Sequence, residues 1–267
     1  MRVSVVVSTY NEPERLALVL AALARQTHVP DEVLVADDGS GPATAEVVRG
    51  WKPPAGCRSE HVWHEDRGLR KWAVSNETVR RSSGEWLIFL DGDSIPHREF
   101  VRDHLLDSGR GDVLCGRRVK IGPTLSPRVD LDMVQSGELE RLFGPALLGG
   151  LFSENERMGL GLRLPRWLAH ALHPRPRKLM GVNFSLSRRT FEAVNGWDEE
   201  LPGRRGDRDI DLRLVRGGFC YAALIQRAVV YHLHHLVRPN SDAIQRRVAE
   251  EERATRVRCT QGLVRTS

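Results

Sequence analysis

The sequence predicts an α/β protein: a single domain with a mostly parallel central sheet flanked by helices. Three observations point there. Short apolar runs at Val3–Ser8, Glu32–Ala36 and Trp86–Leu90 read as strands buried on both faces. Segments of helical periodicity alternate with them, as in Pro13 to about Ala24, where Leu16, Leu20 and Leu23 share one face. All three strands run into polar turns: Ser8-Thr9-Tyr10-Asn11-Glu12, Asp37-Asp38-Gly39-Ser40 and Asp91-Gly92-Asp93. In open α/β sheets the carboxyl edge of the strands is where ligands bind.

Taken in order, the first strand passes to its helix at Pro13, a residue suited to an early helical position. The second strand precedes a helix over Thr44–Trp51. A short strand near His61–Trp63 leads to a helix over Lys71–Arg81, and another strand falls near Asp112–Gly116. From Lys120 to about Arg177 the pattern breaks down, with Gly149-Gly150, several prolines and a basic run at 163–168. Regularity returns with a strand over Gly181–Ser187, helices near Thr190–Val194 and Asp209–Arg216, and strands at Phe219–Leu224 and Ala228–Tyr231. The tail from Ser241 to Arg258 is charged and helix-compatible. The chain divides into halves 1–119 and 120–240 of one domain, the second opening on the variable segment, followed by a tail over 241–267.

At 267 residues and 40% apolar content the chain can bury a substantial core. No run approaches the about 20 apolar residues that span a bilayer, and Met1–Val7 reads as a first strand, not a signal peptide. Four scattered cysteines form no Cys-x-x-Cys, which disfavours a disulfide framework or zinc site and fits a reducing cytoplasm. The net charge of +5 suits phosphorylated ligands or anionic lipid. No nucleic-acid motif appears.

Two acids separated by one glycine can approach a divalent cation together, as in Asp91-Gly92-Asp93. Asp37-Asp38 offer carboxylate acceptors to a nucleobase or ribose, and read equally as an acidic turn before a helix cap. Val229–His235 carries three imidazoles just past a strand, and histidine among oxygen ligands suits manganese over calcium. The acids Asp207, Asp209 and Asp211 have a structural reading as the capped start of an amphipathic helix. Asp209 and Asp211 face different sides of such a helix, which argues against both serving one atom.

Thr9-Tyr10-Asn11-Glu12, Asp37-Asp38-Gly39-Ser40 and Asp91-Gly92-Asp93 resemble, in order and spacing, the family-two glycosyltransferases. Trp63–Arg70 resembles the branch of bacterial chondroitin polymerase, with Ser75-Asn76 where that branch has Arg-Asn. Gly181–Ser185 and Val194–Glu199 resemble galactosyltransferase-like members. The resemblance implies a GT-A fold, a nucleotide-sugar donor and inversion at the anomeric carbon. Residues 1–119 would then bind the nucleotide sugar, and 120–240 the acceptor and the catalytic acid. It implies Thr9, Tyr10, Asn11, Glu12, Lys71, Asn76 and Asp91 on the donor side, with Asp37 or Asp38 on the base. Asp93, Asp91 and His232 (His235 as second choice) would hold Mn²⁺ or Mg²⁺. Anchored on Leu212, the family's Glu-Asp-x-Asp-Leu places Asp209 as general base and Asp211 as the following acid. Arg208 then stands where a glutamate is expected and Arg205 where an aromatic is expected, so Asp207 is a candidate for the displaced carboxylate. Trp197 is a candidate platform for the acceptor ring, with Asp207 and Asp211 beside it.

The activity implied is transfer of a hexose or related sugar, most simply from UDP, to a saccharide or lipid-linked saccharide in bacterial surface-polysaccharide or lipopolysaccharide assembly. The stretch from Arg163 to Lys178 mixes Trp167 and leucines with cations and could rest on an anionic membrane. Trp51, Trp63, Trp72 and Trp86 read as core. Two other classes stand beside this one. A sugar-phosphate nucleotidyltransferase would need a Gly-rich N-terminal loop with a catalytic cation, which Ser8–Glu12 is not. A non-catalytic nucleotide-sugar-binding partner protein is allowed by the Arg208 departure.

Overall fold

The computed structural model describes residues 1–143, 162–175, 178–201, 206–235 and 254–264. Four parallel strands form the first half of the main sheet: β1 (Val3–Thr9), β2 (Glu32–Asp37), β3 (Arg58–Trp63) and β4 (Trp86–Asp91). The helices α1 (Pro13–Leu23), α2 (Pro42–Gly50) and α3 (Lys71–Arg81) connect them. A hairpin-like excursion, β5 (Ser94–Pro96), precedes α4 (Phe100–Asp107), β6 (Val113–Cys115) and β7 (Arg118–Lys120). Then come α5 (Leu131–Ser136), α6 (Glu138–Phe143), α7 (Arg166–Leu172), β8 (Asn183–Ser187) and α8 (Arg188–Ala193), and finally α9 (Gly206–Arg216), β9 (Tyr221–Ala223) and β10 (Val230–His232).

The main sheet has seven strands in the order β3-β2-β1-β4-β8-β6-β9, with β8 antiparallel to both neighbours. Each strand feeds two cores, because successive side chains point to opposite faces. Val3, Val5, Val7, Ile88 and Leu90 pack beneath α1, whereas Val6, Leu87 and Phe89 pack toward α3 and α8. That two-sided burial is why these runs lack polar alternation. A second sheet, β5-β10-β7, stands at the carboxyl edge of the first. There β10 lies antiparallel to β5, with His232 opposite Ser94, and parallel to β7.

The predicted fold class holds, with small shifts at element ends. The segment after Lys120 contains helices that its prolines and glycines hid, though Gly149-Gly150 lie outside the described residues. So do residues 241–253 of the expected helical tail. Residues 254–264 form no helix and run as an irregular strap across the turn after α8. Asn195, at φ 65°, donates from Nδ2 to the carbonyls of Cys259 and Val264, both at 2.8 Å. Arg80 donates to the Gly262 carbonyl at 2.7 Å.

Two tryptophans correct the sequence reading. Trp197, expected on the acceptor, is only 2% exposed and packs edge-on against Phe89, Phe184 and Phe191 and at a tilt on Trp72. An indole enclosed by four rings is core. Trp63, expected in the core, is 52% exposed and donates from Nε1 to the Ser40 carbonyl at 3.0 Å. Asn76, expected on the donor, is fully buried instead. Its amide donates to the Trp197 carbonyl at 2.8 Å and accepts from the Trp197 N–H at 3.0 Å.

Asn76 therefore braces the turn that seats Trp197. Asn76→Ala leaves two buried backbone groups unpaired and should lower unfolding free energy by about 2–3 kcal/mol in urea titration. UDP affinity of the folded fraction should stay unchanged. Weakened nucleotide binding at normal stability would restore the donor reading.

Candidate active site

The carboxyl ends of β1, β2 and β4 gather the first group of polar residues. Register sets Thr9 opposite Asp37 and Ser8 opposite Asp91, so three sequence-distant turns share one edge. Gly92 follows because its backbone N–H donates to the Ser8 carbonyl at 2.7 Å, and a Cβ there would crowd Ser8 and Thr9. Thr9 is buried, with its Oγ1 unpartnered among the described residues.

The first two turns are stitched together. The Asn11 N–H donates to Ser40 Oγ at 2.8 Å, and the Gly41 N–H to Asn11 Oδ1 at 3.0 Å, with Asn11 at φ 50°. Asp37 is fully buried, accepting from the Ser40 N–H and lying 2.8 Å from His61 Nε2. Burial opposes its ionisation, but these hydrogen bonds outweigh it and its pKa is lowered. At Asp38 burial wins and the pKa is raised, despite hydrogen bonds with His64 and the Arg70 N–H. Tyr10 stands half-exposed above them and donates to Asp66 at 2.9 Å. Glu12 lies 3.7 Å from Arg15.

The pairing of β5 with β10 assembles the second group. His232 Nε2 is 3.5 Å and His235 Nε2 3.3 Å from the same Asp93 oxygen, Oδ2. One ligand atom from each of the three residues falls within 4.8 Å of the others. One carboxylate and two imidazoles converging this way suit a borderline divalent cation. Asp91, expected as a ligand too, is absent from this cluster: its Oδ1 takes the Lys71 ammonium at 2.7 Å. Burial lowers the Lys71 pKa, but Asp91 and Asp207 outweigh it and the ammonium is held charged.

The third group comes from α9, which carries the three acids expected on the acceptor side. Asp209, expected as base, is buried on the far side of the helix. Its Oδ2 takes both Nε and Nη2 of fully buried Arg213, at 2.8 and 2.6 Å. Asp211 is equally occupied, accepting from the Leu179 N–H and the Tyr221 hydroxyl, with Arg208 3.4 Å away. Asp207 instead faces Lys71 and Asp91. Burial first, then the Asp91 charge, push its pKa up to about 6 against the pull of Lys71 and Arg118. Its Oδ1 is buried and unpartnered among the described residues, and its carboxylate fills the space a Cβ on Gly181 would take. Arg205 lies outside the described residues.

Sequence reasoning missed two cations. Arg118 on β7 acts electrostatically on Asp91, His232 and Asp207, and Arg15 Nη1 lies 4.0 Å from Asp93. The basic run Arg117-Arg118-Val119-Lys120 was the available signal for the first. Ser75, standing where an arginine was expected, is buried and donates to the Lys71 carbonyl. Lys71 is thus the cation on that helix face, one turn earlier.

The sequence profile of glycosyl transferase family 2 matches residues 4–174. The chain belongs to this family. Among family-2 relatives, the chondroitin synthase of Escherichia coli is 27% identical over 237 residues, covering 86% of this chain and 34% of that one. The chain spans under half the length of the curated relatives it first matches. Among solved structures, S. aureus TarS 1–349 in complex with UDP-GlcNAc superposes with TM-score 0.60 at 19% identity, covering 94% of this chain and 66% of that one. The mannosyltransferase PcManGT from Pyrobaculum calidifontis, in complex with GDP-Man and Mn²⁺, gives 0.54 at 20% identity, covering 87% and 56%. These likenesses establish the GT-A fold.

For the family-2 chain the three groups form one continuous polar edge. Titration with Mn²⁺ followed by electron paramagnetic resonance should show one bound ion. Asp93→Ala, His232→Ala and His235→Ala should each weaken it by at least roughly tenfold. Wild-type affinity in any of these variants would remove that residue from the ligand set.

Proposed function

We propose that this chain is an inverting glycosyltransferase that moves a sugar from a nucleoside diphosphate, UDP in the simplest case, to a saccharide or lipid-linked saccharide hydroxyl. The observation that carries the reading is Asp207: a half-buried carboxylate with an inaccessible Oδ1 and a raised pKa, facing Lys71 and Asp91 on the same edge as the Asp93–His232–His235 cluster. Family membership supports the reaction class, and the UDP-GlcNAc bound in TarS supports the donor class. The setting proposed is surface-polysaccharide or lipopolysaccharide assembly.

Inverting transfer is a single displacement. The acceptor oxygen forms its bond to the anomeric carbon as the carbon–oxygen bond to the diphosphate breaks, and the hydroxyl proton must leave. A base near the attacking oxygen takes it, and the unpartnered Oδ1 of Asp207 is the oxygen assigned that task. Asp209 is replaced in this role because its Oδ2 is held by Arg213 and its Oδ1, though without a hydrogen bond among the described residues, lies 3.8 Å from Arg256, so cations flank both oxygens. Asp38 and the stitched turns at Asn11 and Ser40 form the base-binding end, with Tyr10 above. Lys71 fixes Asp91 and keeps Asp207 from a still higher pKa.

The chemistry of the donor set fits Mn²⁺ or Mg²⁺ on Asp93, His232 and His235. Such an ion supplies Lewis-acid neutralisation of the charge developing on the departing diphosphate. Arg15 and Arg118 add fixed positive charge on the same side.

The test is UDP release from a panel of nucleotide sugars, with and without Mn²⁺. Asp207→Asn should reduce transfer by about 10³-fold while UDP still binds. With a base titrating near 6, the wild-type rate should climb as pH rises through that value and level off above it, because protonated Asp207 cannot accept a proton. Asp209→Asn should instead destabilise the fold by about 3 kcal/mol, leaving the buried Arg213 charge without its counter-ion. Its folded fraction should turn over within about tenfold of wild type. Full activity in Asp207→Asn, together with loss in folded Asp209→Asn, would return the base to Asp209. UDP binding without release from any donor or acceptor would leave a non-catalytic binding protein.

A further inference from the structure

Helices α4 and α7 are fastened by a buried polar seam away from the metal cluster. Asp103, fully buried, accepts from Nε and Nη2 of Arg163, both at 2.8 Å, and from Arg227. Asp107, also fully buried, accepts from Arg166 Nε at 2.6 Å and lies 2.9 Å from His170 Nε2. The Leu164 N–H donates to the Gln226 carbonyl at 2.9 Å, and Arg227 returns a bond to the Leu164 carbonyl. Segment 163–170 is therefore held rigidly, with Ala169 turned inward.

What this anchoring leaves outside is unusual for a helix so well fixed. Trp167 is 72% exposed, Leu172 57% and Leu106 44%, Leu106 being joined to the helix by the bond from Arg166 to its carbonyl. Leu162 is also exposed. Arg175 and Lys178 follow the helix in the chain and are exposed, and Arg166 is half-exposed while paired with Asp107. The acids that would balance these cations, Asp103 and Asp107, are sealed beneath the helix and committed to the seam. Glu99, which pairs with Arg102 at the margin, is buried as well. The outward face thus presents a tryptophan and leucines set among cations.

We propose that this face of α7, with Leu106 beside it, is a contact surface for an anionic lipid bilayer, seated at headgroup depth. Tryptophan is favoured at that depth because its ring is apolar and its N–H polar. Apolar side chains ringed by arginine and lysine bind by burial plus attraction to negative headgroups. With seven helical residues between Pro165 and Pro174, α7 lies on the surface and does not cross it. A nucleic acid would find the cations but no use for Leu172 and Leu106. The inference is independent of the transfer chemistry, since it shares no residue with the proposed donor, metal or base positions.

The experiment is flotation of the full chain with phosphatidylcholine vesicles, with and without phosphatidylglycerol, at low and high salt. Binding should be at least about tenfold stronger to the anionic vesicles and fall with salt. The double variants Trp167→Ser/Leu172→Ser and Arg175→Glu/Lys178→Glu should each lose about tenfold, while Val215→Ser, exposed on α9, should not. A blue shift of tryptophan fluorescence on vesicles should disappear in Trp167→Phe, which preserves the fold. Unchanged vesicle binding in both double variants would overturn the assignment of this face. Absence of vesicle binding would overturn it as well. If self-association were then lost in Trp167→Ser, the face would join copies of this chain. Vesicle binding by a protein that releases no UDP would sink the transfer proposal and leave this one standing.

Discussion

Everything at the polar edge depends on the register of one strand. With β1 central, Thr9 falls opposite Asp37 and Ser8 opposite Asp91, and no side-chain contact is needed to bring those turns together. Slipping either pairing by one residue would turn every valine of β1 toward the wrong core. The apolar packing on both faces therefore holds the site as firmly as it holds the sheet. The second sheet extends the same logic, because setting His232 against Ser94 delivers an imidazole to Asp93 through backbone pairing alone.

Charge at the edge is balanced unevenly, and the imbalance separates roles among chemically similar acids. Asp91 has an ammonium at contact distance, Asp93 has two imidazoles, and Asp207 has a backbone hydrogen bond from Gly181 and the fields of Lys71 and Arg118, with no cationic side chain hydrogen-bonded to it among the described residues. Desolvation with no cation in contact to offset it is what raises a carboxyl pKa toward the range useful for accepting a proton. Asp209, two residues along, is more deeply buried than Asp207 but has a guanidinium wrapped against it. The difference between the two is helix phase, about 100° per residue.

The sheet was legible because strands buried on both faces leave unbroken apolar runs, as at Trp86–Leu90. The acidic turns were legible because each directly follows such a run. Roles around α9 were less so: its phase is fixed by Gly206 lying against Trp72 and by Arg213 reaching the Val194 carbonyl, contacts that no local pattern announces. Trp197 carries no mark of the rings that enclose it, and Asn76 none of the turn it braces. Helix α7 was hidden because the stretch reads as prolines and scattered charge. What fixes it is Asp103 and Asp107, about 60 positions earlier. Arg15 and Arg118 are single cations in ordinary elements and become informative only beside Asp93 and Asp91.

The strap over 254–264 has a bearing on the order in which this chain can fold. Asn195 sits in a left-handed conformation whose amide is satisfied by carbonyls more than 60 positions later, and Arg256 reaches back to Asp198 and toward Asp209. The turn beneath α9 is therefore incomplete until the last described residues are in place. During synthesis the parallel strands of the first half can pair well before that. The helix bearing Asp207 gains its final support late, through contacts whose loop-closure entropy is large. Nucleotide-binding architecture would thus form ahead of catalytic geometry, and the closing of the strap would separate the two in time.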